Sequence, residues 1–159
     1  MTDSYIFKTP LGWLEIGEEH DKITNIHLLP NKSDCLQMRR TKIHSDLLHE
    51  TYTQLNEYFA GKRMQFDLPL YYLGTPFQMQ VWKELRKIPY GQTRCYEDIA
   101  VAVGNHRAVR AVGQANNKNP IMIVIPCHRV IHKNGNIEGF SYGTEVKKYL
   151  LDLEKNYTV

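Results

Sequence analysis

The stretch Tyr96-Glu97-Asp98-Ile99-Ala100-Val101-Ala102-Val103-Gly104-Asn105-His106-Arg107-Ala108-Val109-Arg110-Ala111-Val112-Gly113-Gln114-Ala115-Asn116 decides how the C-terminal half reads. Residues 96–103 read as a short helix with Ile99 and Val103 on its inner side. Gly104-Asn105 is a tight turn, and residues 106–116 read as the next helix, so the pair forms a helix-turn-helix pattern. The second helix carries small side chains at Ala108, Ala111, Gly113 and Ala115, with Arg107 and Arg110 projecting among them. Small residues let a backbone approach a partner closely, as a groove-binding helix must, and tight packing inside the protein accounts for them equally well. Arg110 leans toward the first reading, because a core-facing seam rarely carries an unpaired arginine.

Working outward, Thr75 caps a further helix with Pro76 at its first position and Phe77, Val81, Trp82, Leu85 and Ile88 on one face. Pro89-Tyr90-Gly91 ends it. Downstream, Lys133-Asn134-Gly135-Asn136 is a hairpin-type turn and residues 144–155 form a final helix. The first part reads differently. Tyr5-Ile6-Phe7 and Trp13-Leu14-Glu15-Ile16 flank the turn signal Thr9-Pro10-Leu11-Gly12, and residues 23–29 give a third strand. Leu47, Leu48, Tyr52, Leu55 and Phe59 predict an amphipathic helix over 45–59, closed by Gly61. Residues 65–72 read as irregular or extended, a candidate linker. The expected fold is α+β: a small N-terminal antiparallel sheet with a helix over 1–70, then a mostly helical domain over 71–159.

The chain has 159 residues and a net charge of +3, which hides an uneven distribution. Residues 1–75 hold 8 Lys/Arg and 10 Asp/Glu, residues 76–129 hold 8 and 3, and residues 130–159 hold 4 of each. The excess positive charge therefore sits in the middle third. Phosphate binding needs such a local excess, and a solvated basic face would show it too. Three cysteines, Cys35, Cys95 and Cys127, lack regular spacing and fit reduced thiols better than a disulfide framework. No apolar run reaches the length of a membrane span, and no secretory signal is visible, so a cytoplasmic location is expected.

Cys127 stands in Ile125-Pro126-Cys127-His128-Arg129-Val130. A neighbouring imidazole can take a thiol's proton directly or through one water, and Arg129 favours the anion. Pro126 fixes the approaching backbone. The same cysteine, after an apolar run from Ile121 to Ile125, also reads as a buried small hydrophobe. Tyr96 could present its hydroxyl to a ligand or cover the core. Glu154 near the end of the last helix is poorly placed for the helix dipole, so it is a surface carboxylate or one with a partner such as an imidazole.

Together these residues resemble the O6-alkylguanine-DNA alkyltransferases, also called methylated-DNA–protein-cysteine methyltransferases. The resemblance runs through Gly74-Thr75-Pro76-Phe77-Gln78, Arg107-Ala108-Val109-Arg110-Ala111-Val112-Gly113, Asn119-Pro120, Ile125 to Ile131, and Val146-Lys147-Lys148-Tyr149-Leu150-Leu151 ahead of Glu154. It covers residues 74–155 strongly and residues 1–70 by architecture, where it implies a ribonuclease-H-like fold. It implies single-use repair, in which Cys127 takes the alkyl group from O6 of guanine, and O4 of thymine is a further candidate. His128 would act as base through a water, oriented by Glu154, while Tyr96 would protonate the guanine at N3. Asn119 would hold the turn around the cysteine. Carbonyls of Cys127 and Val130 would accept from the guanine amino group, and the Ser141 backbone would donate to O6. Pro126, Val130, Ser141 and Tyr142 would shape the pocket. Arg110 would fill the gap left by the flipped nucleotide, with Arg107, Ala108, Ala111, Gly113 and Gln114 on the DNA, in its minor groove.

Departures from the family pattern carry expectations of their own. Tyr142 stands where many relatives have glycine, which predicts a narrower pocket that disfavours O6-benzylguanine. Some relatives bind zinc through N-terminal cysteines, which residues 1–30 lack, so no metal and no cofactor are expected. The expected partner is double-stranded DNA carrying O6-alkylguanine, bound by a monomer. A damage sensor without catalysis is the main rival, and Cys127 argues against it. A turnover cysteine hydrolase is a weaker one, because a thioether does not hydrolyse as a thioester does.

Overall fold

A computed structural model describes residues 2–30, 42–43 and 45–158. Cys35 lies outside those residues. The chain divides into two compact units, Met1–Tyr72 and Leu73–Val159.

In the first unit, β1 (Thr2–Thr9), β2 (Gly12–Glu19) and β3 (Lys22–Leu28) form an antiparallel sheet in the order β1-β2-β3. The β1–β2 turn closes locally, as the Thr9 hydroxyl donates to the Gly12 carbonyl at 2.8 Å and accepts from the Leu11 N–H at 3.1 Å. Leu14 and Ile16 alternate on β2, so one sheet face is apolar, and it buries with Ile23, Ile26 and the α1 residues Leu48, Leu55 and Tyr58. Helix α1 spans Asp46–Phe59. Its cap Ser45 accepts from the Leu48 N–H at 3.0 Å and donates to the carboxylate of Glu18 on β2, tying helix to sheet.

The segment 65–72 is not a free linker. The Ile23 N–H donates to the Pro69 carbonyl at 2.8 Å and the Tyr71 N–H to the Ile23 carbonyl at 2.9 Å, so this stretch runs parallel to β3 and completes its edge. Gln54 of α1 holds it again, donating to the Asp67 carbonyl and accepting from the Asp67 N–H. Backbone groups at a sheet edge need partners, and this segment supplies them.

The second unit opens with α2 (Pro76–Leu85), closed at its start by a capping box between Thr75 and Gln78. Then come β4 (Arg94–Cys95), α3 (Tyr96–Ala102), α4 (Val109–Asn117), a 3-10 turn at Cys127–Arg129, β5 (Val130–Ile131) and α5 (Thr144–Tyr157). The two short strands pair in parallel, which sets Tyr96 beside the signature segment. Trp82 of α2 donates its indole N–H to the Ala115 carbonyl at 2.8 Å, so Ala115 faces inward instead of out.

Helix α4 starts three residues later than the spacing predicts. The Asn105 side chain accepts from the Arg107 N–H at 3.1 Å and its carbonyl accepts from the Ala108 N–H at 3.0 Å. This Asx turn, with Ala108 at φ of −87° and ψ of 26°, holds residues 105–108 in a turn ahead of the helix. Arg107 therefore lies in the turn and Ala108 at the helix cap, both off the helix that was expected to carry them. Around Gly135 the predicted turn forms, closed by the Gly135 N–H on the His132 carbonyl. It is a loop rather than a hairpin of paired strands, because β5 pairs with β4 instead.

Candidate active site

The signature residues sit on a single 3-10 turn, where successive side chains project about 120° apart. Cys127, His128 and Arg129 thus point in three directions from one short piece of backbone, and all three are buried. The loop before them is over-determined. Asn119 accepts from the Ile121 N–H at 2.9 Å and donates to the Ile125 carbonyl at 2.7 Å. Within that loop Ile123 has φ of 73°, a costly conformation for a β-branched residue that persists only under such clamping. Asn119 also helps the cysteine directly, since its hydrogen bond favours the thiolate.

Glu154 of α5 is the hub behind the turn. One oxygen lies 2.5 Å from His128 Nε2 and accepts from Arg129 Nη2 at 3.1 Å. The other accepts from Arg129 Nε at 2.8 Å and from the Gly91 N–H at 3.1 Å. Burial alone would raise this carboxyl's pKa, but the hydrogen bonds and charges of His128 and Arg129 overcome it and hold the group well below the usual carboxylate range. Arg129 is itself satisfied by the Ile88 carbonyl at 2.7 Å and by the Tyr90 ring, 5.7 Å from its guanidinium. Because Nε2 is committed to Glu154, Nδ1 is the His128 nitrogen left to take a proton. It is buried without a hydrogen-bond partner among the described residues. Burial lowers the pKa of His128, against the pull of Glu154, so the ring rests neutral.

The Cys127 thiol is pushed up to about 11, chiefly by burial. At rest it is therefore a protonated thiol, and its nucleophile exists only when the proton leaves. A residue the sequence reasoning passed over bears on this. Lys147 of α5 is fully buried, with Nζ donating to the Val130 carbonyl and lying 5.7 Å from the Tyr96 ring centre and 5.3 Å from that of Phe140. Burial lowers its pKa to about 8, and the charge of a Cys127 thiolate works in the opposite direction. A lysine in an apolar helix stripe was the available signal, since Lys147 sits one turn before Leu150 and Leu151.

Tyr96 is nearly buried and its phenol is pushed up by burial and by the Cys127 charge. It lines a cavity of about 490 Å³ together with Val109, Arg110, Gly113, Gln114 and Asn117 of α4, and His132, Glu138 and Gly139 of the following loop. Of the residues expected on DNA, Arg110, Gly113 and Gln114 border this opening, and Arg107 is exposed in the preceding turn. Pro126 and Val130 are buried behind it, and Tyr142 packs on Phe140 with ring centres 5.8 Å apart instead of lining it. The backbone acceptors are partly engaged. The Cys127 carbonyl accepts from Asn116 Nδ2 at 3.2 Å and from the Val130 N–H, so both its lone pairs are engaged, whereas that of Val130 accepts from Lys147. The Ser141 N–H, which has no second bond to give, donates to Asn117 Oδ1 at 3.2 Å. Among the described residues no group of three or more His, Cys, Asp and Glu is placed to hold a metal ion. No described helix is long and apolar enough to cross a membrane.

Comparison with known proteins identifies the family. Residues 76–156 match the model of the 6-O-methylguanine DNA methyltransferase DNA-binding domain, and residues 4–72 match that of its ribonuclease-like domain. The constitutive methylated-DNA–protein-cysteine methyltransferase of Bacillus subtilis is 48% identical over 154 residues, covering 93% of this chain and 92% of that protein. A protein of the same name from Methanosarcina mazei is 50% identical over 152 residues, covering 96% of both chains. Among solved structures, Mycobacterium tuberculosis OGT in complex with DNA superposes with a TM-score of 0.87 at 39% identity, covering 98% of this chain and 94% of that one. The α+β architecture, the cysteine turn and both domain matches make this chain a member of the 6-O-methylguanine DNA methyltransferase family.

Proposed function

We propose that this chain repairs DNA by direct reversal, moving an alkyl group from O6 of guanine onto Cys127 Sγ. The observation that carries the reading is the buried Cys127–His128–Glu154 turn, set beside a cavity that Tyr96 shares with the arginine-bearing helix α4. The first unit serves as a structural domain, and the second carries DNA binding and transfer.

A base paired inside a duplex is out of reach of a buried sulfur, so the damaged nucleotide turns out of the helix into the cavity. Helix α4 lies in the minor groove, where Ala111 and Gly113 permit close approach and Arg110, exposed at the cavity edge, fills the vacated stack. His128 Nδ1 takes the thiol proton through a water while Glu154 holds the ring by Nε2. The sulfur then attacks the alkyl carbon, forming S–C as C–O6 breaks, and the electron pair goes to O6. Tyr96 gives its proton to N3, so guanine leaves uncharged, and the Lys147 ammonium near the Tyr96 ring offsets the developing phenolate. The product is a thioether with no leaving group, so each molecule acts once. The working form is a cytoplasmic monomer that uses no cofactor.

Intact mass after incubation with duplex DNA carrying O6-methylguanine tests this. One added methyl, about 14 Da, is expected on the wild type and none on Cys127→Ser. An unchanged wild-type mass with DNA binding retained would leave the chain a damage sensor.

A further inference from the structure

The Asn117 side chain does two things at the mouth of the cavity. Its Nδ2 donates to the Gly139 carbonyl at 2.9 Å and its Oδ1 accepts from the Ser141 N–H at 3.2 Å. One amide on α4 thereby grips both ends of a three-residue piece of the cavity wall. The gripped residues 139–141 belong to a longer segment that starts at Gly139, on the cavity, with φ of 89° and ends at Gly143 with φ of 98°, and a side chain atom added at either glycine would meet nothing within 4 Å. Two glycines free of steric neighbours, with a positive φ that other residues rarely adopt, end a segment whose last four residues form a turn closed by the Gly143 N–H on the Phe140 carbonyl at 2.9 Å, so that turn moves as a unit about Gly139. Phe140 is buried against Lys147, and Asn117 ties the exposed side of the segment to α4. Asn117 and Gly139 both border the cavity that receives the base.

We infer that Asn117 is a specificity-determining residue, latching the wall 139–143 to α4 so that a small O6 adduct reacts with the wall closed and a bulky one only after the latch lets go. The inference rests on the alkyl-transfer reading given above. The latch also holds the N–H that faces the leaving oxygen in that reading. A charge developing on O6 competes with a neutral amide oxygen for the Ser141 N–H, and the ionic acceptor wins because charge-assisted hydrogen bonds are the stronger ones. Exchange of one acceptor for the other thus couples opening of the latch to bond breaking. A bulky adduct has to open it earlier, at the stage of binding.

The experiment compares wild type, Asn117→Ala and Asn117→Asp on duplexes carrying O6-methylguanine or O6-benzylguanine, with amide hydrogen exchange at Ser141 measured on each protein. The alanine variant is expected to raise the benzyl-to-methyl rate ratio about tenfold, the factor one ordinary net hydrogen bond is worth, and to speed Ser141 exchange. The aspartate variant keeps an acceptor for Ser141 but loses the donor to the Gly139 carbonyl, so its Ser141 protection is expected at or above wild type and its rate ratio between wild type and the alanine variant. An alanine variant with the wild-type ratio, or with unchanged Ser141 exchange, overturns the latch while wild-type methyl transfer leaves the function standing. A wild type that transfers neither group overturns both.

Discussion

The two units bury different kinds of side chain. In Met1–Tyr72 the interior includes Leu14, Ile16, Ile23, Ile26, Leu48, Leu55 and Tyr58; its buried polar groups Thr9, Glu18 and Gln54 serve turn, cap and edge contacts, and the Thr51 hydroxyl bonds back to the Leu47 carbonyl of its own helix. In Leu73–Val159 the apolar core surrounds His128, Arg129, Lys147 and Glu154, with Asn116 and Asn119 alongside. Removing charges from water costs more than most ion pairs return, so such a set is a poor way to stabilise a small domain. The difference teaches where the chemistry lies. The first unit is assembled as a fold is, whereas the second carries groups whose burial is explained by proton movement at Cys127.

Breaking the hub should give the largest effect. Glu154→Gln leaves Arg129 buried beside a neutral amide and turns one of two acceptor oxygens into an NH2, so a single oxygen is left for His128 Nε2, Arg129 and the Gly91 N–H. Stability is expected to fall by about 3–5 kcal/mol in denaturant titrations. Transfer by the protein that remains folded should slow at least about tenfold, because the imidazole loses its orientation. A variant as stable and as fast as wild type would show that the buried charges are incidental and would erase the contrast between the units.

The reverse experiment is made in the first unit. Leu55 is fully buried in α1 against the sheet, and Leu55→Ala is expected to cost about 3 kcal/mol through lost contacts and a cavity. Transfer by the folded fraction should match wild type, read from single-turnover rates below the unfolding transition. A slower rate at full folding would mean that the first unit acts on the site and is not only scaffold.

What the sequence made legible is what is encoded locally. Ser45 and Thr75 announce their helices because a cap needs only three residues, and the β1–β2 turn is written in Thr9-Pro10-Leu11-Gly12. Cys127, His128 and Glu154 were visible through family resemblance, whereas the residues alone favoured a packed cysteine and a solvated glutamate. All but one of the misses are non-local. Residues 69–71 complete the edge of β3 although they lie more than forty positions from Ile23, and nothing in their composition says so. Asn105 delays α4 by a side-chain bond that competes with the helical pattern. Lys147 is in sequence only a lysine within an apolar stripe of α5, and its setting is made by Val130, Tyr96 and Phe140 from three other segments.

Lys147 gives the smallest effect and the sharpest reading of the second unit. Its pKa is about 8 and that of Cys127 about 11, while His128 is neutral across this range. If solvent removed the thiol proton beforehand, the rate would rise tenfold per pH unit up to about 8 and then level, as thiolate gained and ammonium lost cancel. With His128 taking the proton during transfer, the thiol form reacts and only the ammonium titrates. The rate is then flat between pH 6.5 and 7.5 and falls above about 8, reaching roughly a tenth of its neutral value at pH 9. Unfolding does not mimic this. A lysine whose folded pKa lies below 10.5 makes the folded state more stable as pH rises from about 8, since the unfolded chain holds more protons there. The raised thiol acts oppositely, its contribution being fully present below 9 and lost as pH approaches 11. Lys147→Arg, charged throughout, should remove the falling limb. A rate that climbs to pH 8 and then holds would show that the thiolate forms ahead of transfer and that His128 is not the group taking its proton.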